Sequence, residues 1–113
     1  MEARATAKYL DVSPRKARLV ADVVRGRKVS EALAMLKFMP QKSAKHVWKV
    51  IHSAAANAEN NLSLDTDVLF VSRIYVDEGP TQRRFRPRSR GRVSPLLKRS
   101  SHVTAVVAEK EVL

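Results

Sequence analysis

Pro80-Thr-Gln-Arg-Arg-Phe-Arg-Pro-Arg-Ser-Arg-Gly-Arg-Val-Ser-Pro-Leu-Leu-Lys-Arg-Ser100 is the stretch around which the chain is organised. It carries Arg83, Arg84, Arg86, Arg88, Arg90, Arg92, Lys98 and Arg99, and no acidic residue stands between Glu78 and Glu109. The 113-residue chain has 22 Lys and Arg against 11 Asp and Glu, a formal charge of +11; the stretch supplies +8 of it and leaves +3 elsewhere. Positive charge concentrated in this way faces a polyanion. Arg84, Arg86, Arg88, Arg90 and Arg92 share one parity, so on an extended backbone their guanidiniums leave the same side. Gly91 sits midway between Pro87 and Pro95 and suits a tight turn. We therefore read a β-ribbon that runs out, turns near Gly91 and returns, with its prolines kept out of the ladder. A solvated basic loop is the plain alternative; what lies on either side favours the ribbon.

Outward on one side, Val68, Phe70, Ile74 and Val76 alternate with Leu69, Val71, Arg73 and Tyr75, which predicts a long strand reaching Asp77-Glu-Gly-Pro80. On the other, His102 to Ala108 reads as a strand with Val103, Ala105 and Val107 on one face. The ribbon thus joins two consecutive antiparallel strands. Residues 3–10 also alternate, Ala3, Ala5, Ala7 and Tyr9 against Arg4, Thr6, Lys8 and Leu10, and complete a three-stranded sheet.

Three helices fill the interval. Ser13 as N-cap and Pro14 at the first position open a helix over 14–25 that Gly26 closes. Ala17, Val20, Ala21 and Val24 form its apolar stripe, widened by Val23; Arg15, Arg18, Asp22 and Arg25 share another face, continued by Arg27 and Lys28. That face fits either ordinary solvated charge or a phosphate-contacting ridge. A short helix covers Glu31 to Phe38 with Ser30 as N-cap and Pro40 as the stop. The longest runs from Lys42 to Asn60, with a stripe of Ala44, Val47, Ile51, Ala54 and Ala58 and a basic side of Lys42, Lys45 and Lys49. Its run of small residues, Ser53 to Ala58, suits close packing, and Trp48 reads as a core-boundary residue. The fold class is α+β: a three-stranded antiparallel sheet packed against three helices, with a long protruding β-hairpin. We expect one domain, with a body of residues 1–79 and 100–113 and a hairpin of 80–99.

Catalytic chemistry finds no footing. His46 and His52 are six apart on a helix and face different ways, so they are not a metal pair. Asp77 and Glu78 are adjacent at a strand end and suit bracing the ribbon base better than acid–base work. Three glycines make no phosphate loop, and with no cysteine there is no thiolate site or disulfide. We expect no enzyme, no cofactor and no metal. No apolar run approaches membrane-spanning length, so a cytoplasmic protein without membrane contact is expected.

Five segments in register carry a resemblance: Ser13-Pro-Arg-Lys-Ala-Arg-Leu-Val20, Ser53-Ala-Ala-Ala-Asn-Ala-Glu-Asn60, Val76-Asp-Glu-Gly-Pro80, Pro87-Arg-Ser-Arg-Gly-Arg92 and Lys98-Arg-Ser-Ser-His102. Together they closely resemble the bacterial large-subunit ribosomal protein family numbered twenty-two, over nearly the whole chain. The resemblance implies a structural constituent of the large ribosomal subunit. It implies a body that binds large-subunit ribosomal RNA among neighbouring ribosomal proteins, as a monomer within the particle. It also implies a hairpin lining the polypeptide exit tunnel, beside the nascent polypeptide. The tunnel tip would fall on Phe85, Arg86, Pro87, Arg88, Ser89, Arg90, Gly91 and Arg92. The RNA-binding set would comprise Arg15, Lys16, Arg18, Arg25, Arg27 and Lys28 on the body and Arg83, Arg84, Arg86, Arg88, Arg90, Arg92, Lys98 and Arg99 on the hairpin. The chain departs from the family pattern at Gln82-Arg83-Arg84, where Met-Lys-Arg is common, and at Val93-Ser94-Pro95, where an Ala-Asp pair is common. The rival class is a basic DNA-binding or nucleoid protein, which would be expected to dimerise; no leftover apolar strip supports that.

Overall fold

Three helices cover one face of a three-stranded antiparallel sheet, and a two-stranded ribbon grows from the sheet's last crossing. The computed structural model describes the backbone of residues 2–87 and 93–109 and the side chains of residues 2–81 and 98–109. In chain order the elements are β1 (Glu2–Leu10), α1 (Pro14–Val24), α2 (Val29–Phe38), α3 (Lys42–Leu62), a 3-10 turn (Thr66–Val68), β2 (Leu69–Glu78), β3 (Gln82–Pro87), β4 (Val93–Lys98) and β5 (Ser101–Glu109). The body sheet has the order β1-β5-β2, and β3 pairs with β4 alone.

The α+β reading holds, and the helix starts follow from local chemistry. Ser13 Oγ accepts from the Lys16 amide at 3.4 Å, and Pro14 occupies the first turn. Gly26 follows the C-cap at φ 81°, and a Cβ there would meet nothing within 4 Å. Glycine is favoured at that position by its backbone angle alone. Helix α2 begins before the expected Ser30 cap: Lys28 is its N-cap, because Lys28 bridges to Phe70 of β2 and its carbonyl takes the Ala32 amide at 2.8 Å. The earlier start buries Val29. Helix α3 runs two residues past Asn60 and ends on Ser63 in the left-handed region.

Two bulges correct the strand parities. Pairing of β2 with β5 shifts between Val71 and Arg73, so Leu69 and Val71 face the core before the bulge and Ile74 and Val76 after it. A bulge inserts one residue into one strand and breaks strict alternation. Val68, read as strand, lies in the 3-10 turn and is exposed. In β1 the register shifts between Ala7 and Leu10, with Tyr9 at φ 58°. Tyr9 therefore turns outward at 69% exposure, and Leu10 packs on the core in its place. Val23, expected to widen the α1 stripe, is also exposed.

The core lies between helices and sheet, where Val20, Val24, Val47, Ile51, Ala54 and Ala58 meet Val71, Ile74, Val103, Ala105 and Val107. Ala54, Ala55 and Ala58 let α3 approach β1 and β5 closely. The molecule extends 67 × 25 × 21 Å with a radius of gyration of 17.2 Å. A compact chain of this length would have a radius of about 13 Å. The excess is the ribbon. Its six pairs run from Gln82 with Lys98 to Pro87 with Val93 without a register shift. Pro87 and Pro95 fall in pairs of the same phase, so one ladder phase can leave both nitrogens pointing away from the partner strand. The turn read at Gly91, with Arg88, Ser89, Arg90 and Arg92, lies outside the described residues.

Candidate nucleic-acid interface

The body cations divide into two groups. Strand β2 is a sheet edge, and edges expose unpaired backbone groups. Arg18 donates Nε and Nη2 to the Val76 carbonyl at 3.3 and 3.0 Å, and Arg25 donates Nη2 to the Ile74 carbonyl at 2.8 Å. Gly26 and Arg27 continue the cover through backbone bonds with Val71 at 2.9 and 2.8 Å. Arg25 also pairs with Asp22 at 2.6 Å, and Arg27 with Glu31 at 2.8 Å and the Val23 carbonyl at 3.0 Å. The guanidiniums of Arg18, Arg25 and Arg27 are therefore engaged within the fold. Arg15, Lys16 and Lys28 are exposed and make no side-chain hydrogen bond to a described residue. A face that reads as one ridge in sequence is split by the edge strand beside it.

The ribbon is anchored at its root. The Gly79 amide donates to the Ser100 carbonyl at 3.0 Å, and Ser100 Oγ donates to the Pro80 carbonyl at 2.7 Å. A Cβ on Gly79 would meet Ser100 Oγ and crowd His102 and the Ser100 backbone, so a larger residue would have to turn the Ser100 hydroxyl off the Pro80 carbonyl. Ser101 Oγ donates to the Val12 carbonyl at 2.7 Å, and His102 Nδ1 accepts the Tyr9 amide at 3.0 Å, with the two rings edge to face. Two of the five sequence segments, Val76–Pro80 and Lys98–His102, thus meet here. Asp77 and Glu78 form no ion pair with a described residue, and the ribbon arginines expected to meet them lie outside the described side chains. Among the described residues, backbone and serine bonds hold the root.

Beside the root opens a crevice of about 700 Å³ where α1, α3 and the end of β4 converge. Lys16, Lys42, Lys98 and Arg99 line it with Asp11 and the buried Ser43. It continues into a second groove bounded by Arg15, Arg18, Glu78 and Arg99. Lys42 Nζ reaches Asp11 Oδ2 at 3.1 Å. That hydrogen bond and the Lys42 charge hold the Asp11 carboxyl below its ordinary value, with smaller help from Lys98 and His46. Burial, then the charges of Lys42 and Lys49, push His46 below the ordinary imidazole value, against the pull of Asp11. Sequence reading placed Lys16, Lys98 and Arg99 in the binding set and missed Lys42 and Asp11, which lie far from them along the chain. The one available signal was a basic residue opening a helix with no acid in its first turn.

The hairpin residues Arg83, Arg84, Phe85, Arg86 and Pro87 lie on β3, while Arg88, Ser89, Arg90, Gly91 and Arg92 are outside the described residues. Lys98 and Arg99 are exposed at the root. Trp48 is half-buried against the core, with His52 stacked on it at a ring distance of 4.9 Å. Among the described residues no three His, Asp or Glu side chains gather as a metal site, and no helix is long and apolar enough to cross a membrane. The arrangement suits phosphate binding.

A family model described as ribosomal protein L22p/L17e matches residues 5–108. The chain belongs to that ribosomal protein family. Similar relatives named large ribosomal subunit protein uL22 come from Syntrophobacter fumaroxidans, 57% identical over 97% of this chain and 100% of the relative, and Clostridium novyi, 54% identical over 97% and 99%. A third, of the same name, from Pelotomaculum thermopropionicum, is 52% identical over 98% of both chains. The matched span takes in the body sheet, all three helices and the ribbon. The chain is accordingly a structural constituent of the ribosome and not an enzyme.

Proposed function

We propose that this large-subunit ribosomal protein binds large-subunit ribosomal RNA along its ribbon and the adjoining body face, and that the ribbon supplies part of the polypeptide exit tunnel wall. The observation that carries the reading is the placement of charge. A stretch holding +8 of the +11 net charge runs out on a two-stranded ribbon, away from the core. Seven of its eight cations are arginine, and a planar guanidinium grips phosphate through two parallel bonds and stacks on bases. On this reading the body of 1–79 and 100–113 docks, while the hairpin of 80–99 threads between RNA segments. Arg83, Arg84, Arg86, Arg88, Arg90, Arg92, Lys98 and Arg99 contact phosphates. Phe85 to Arg92 reach the tunnel and the nascent polypeptide. Arg15, Lys16 and Lys28 bind from the body, and Arg18, Arg25 and Arg27 contribute charge while holding the fold. One copy sits among neighbouring ribosomal proteins.

The test is a salt titration of the full chain on a large-subunit RNA fragment, together with lysate fractionation. With roughly six phosphates neutralised, log K against log salt should slope about −4 to −5. The chain should travel with the large subunit at moderate salt. A slope near zero, or release from the particle at moderate salt, would remove the reading.

A further inference from the structure

We propose that the crevice at the ribbon's root is a discrete phosphate site, which Asp11 fills as an internal stand-in until a phosphate of the bound RNA displaces it. The inference rests on the RNA-binding reading and deepens it: it assigns one seat and one competitor.

The crevice gathers cations from separate places in the chain, Lys16 on α1, Lys42 on α3, Lys98 on β4 and Arg99 after it. Against these it holds one carboxylate, Asp11, which reaches one ammonium. Lys16, Lys98 and Arg99 make no ion pair with a described residue. The Lys42–Asp11 pair lies in water, with side chains 67% and 85% exposed. Such pairs are held weakly and exchange readily.

The opening turn of α3 adds donors. Its N-cap, Gln41, makes no side-chain capping bond, and no acid stands in the first turn. The Ala44 amide is taken by the Gln41 carbonyl at 3.1 Å, which leaves the Lys42 and Ser43 amides to open the helix, and its dipole favours an anion at that end. Ser43, only 3% exposed, lines the crevice and makes no side-chain hydrogen bond to a described residue. A tetrahedral dianion or a backbone phosphate offers several acceptor oxygens to such a set, where the Asp11 carboxylate serves Lys42 alone.

The experiment titrates inorganic phosphate into the full-length protein and follows backbone amides by NMR. It compares the natural chain with Asp11→Asn and, as a control of equal charge, Asp22→Asn. Saturable shifts centred on Lys42, Ser43 and Ala44 are expected. Asp11→Asn should tighten binding about threefold to tenfold by removing one like charge a few ångströms from the anion; Asp22→Asn, whose carboxylate sits on Arg25, should leave it unchanged. Shifts spread over surface lysines without saturation, or equal effects of the two variants, would overturn the site. A second arm repeats the comparison with a large-subunit RNA fragment. Tightening of RNA by Asp11→Asn assigns the seat to an RNA phosphate. Tightening of free phosphate alone overturns that assignment. Phosphate binding at the crevice with no RNA binding by the natural chain would sink the proposed function and leave the crevice standing.

Discussion

The body sheet and the ribbon are consecutive in the chain and opposite in construction. Central strand β5 is buried along both faces, with Val103, Val106 and Val107 at 1% exposure or less. Its two pairings both contain bulges, because register there is set by which side chains must reach the core, and the backbone yields to that demand. The ribbon has an unbroken register over six pairs. Its sequence offers arginines and prolines where β5 offers valines. A two-stranded hairpin alone is marginal in water. Burial organises the one sheet; on the proposed reading, RNA completes the other.

The strongest way to break this contrast is to remove the ribbon. Gln82 and Lys98 are register partners, so residues 83–97 can be replaced by Asn-Gly as a two-residue turn. The shortened protein should unfold cooperatively in urea near the natural midpoint. Its RNA affinity should fall about a hundredfold or more at low salt, with the salt slope roughly halved, since most of the phosphate contacts go with the arginines. A body that no longer folds would show that the ribbon belongs to the core. The reciprocal cut is Ile51→Ala, at a fully buried residue of α3. It should cost about 2–5 kcal/mol in urea unfolding while the folded fraction binds RNA as before. A loss of affinity beyond the unfolded fraction would mean that core and interface are not separable.

Legibility in the sequence follows the same line. Ser13-Pro14 and Gly26 announced α1 because their signals are local: a cap, a fixed φ and a left-handed terminus. The ribbon was legible because charge does not need a partner to be counted. What escaped depends on long-range packing. Nothing local marks Ser72 as the extra residue that switches β2 parity, or Tyr9 as the one that turns out of β1. The face of Arg18 and Arg25 fits solvated charge or a phosphate ridge in sequence, which does not say that an edge strand lies beside them and accepts hydrogen bonds from both. Lys42 and Asp11 joined the crevice only when β4, α1 and α3 were brought together.

Two neighbouring arginines sharpen the comparison at a finer scale. Arg18→Ala frees the Val76 carbonyl and should cost about 1–2 kcal/mol of stability, as for a lost charged hydrogen bond at a partly exposed site. It should change the salt slope little. Arg15→Ala should leave stability within about 0.5 kcal/mol and reduce the slope by about one phosphate. Urea unfolding and filter binding on both variants read the four values. Interchanged effects would return Arg18 to the interface and dissolve the division of the α1 face.

The smallest effect expected is in pH, and its sign is opposite for folding and binding. His46 is held below its ordinary value by burial and by Lys42 and Lys49. Between the unfolded and folded values the unfolded chain therefore binds more protons. Its contribution to stability is complete above about pH 6.5, the unfolded value, and is lost as pH falls toward the folded one. Asp11, held low by Lys42, acts in a separate window: its contribution is present above the ordinary carboxylate range and disappears only as pH falls through its lowered value. Urea unfolding at several pH values from 7.5 to 5 should show a decline that is smaller in His46→Gln, which isolates this group from the other histidines. An anion seated at Lys42 offsets one of the charges that depress His46 and draws its proton affinity back up. The ratio of phosphate affinities, natural protein over His46→Gln, should then grow as pH falls through the same window, while the phosphate's own loss of its second charge weakens both alike. A natural protein whose phosphate affinity follows pH in the same way as His46→Gln would detach His46 from the crevice. It would leave the crevice to Lys16, Lys42, Lys98 and Arg99 alone.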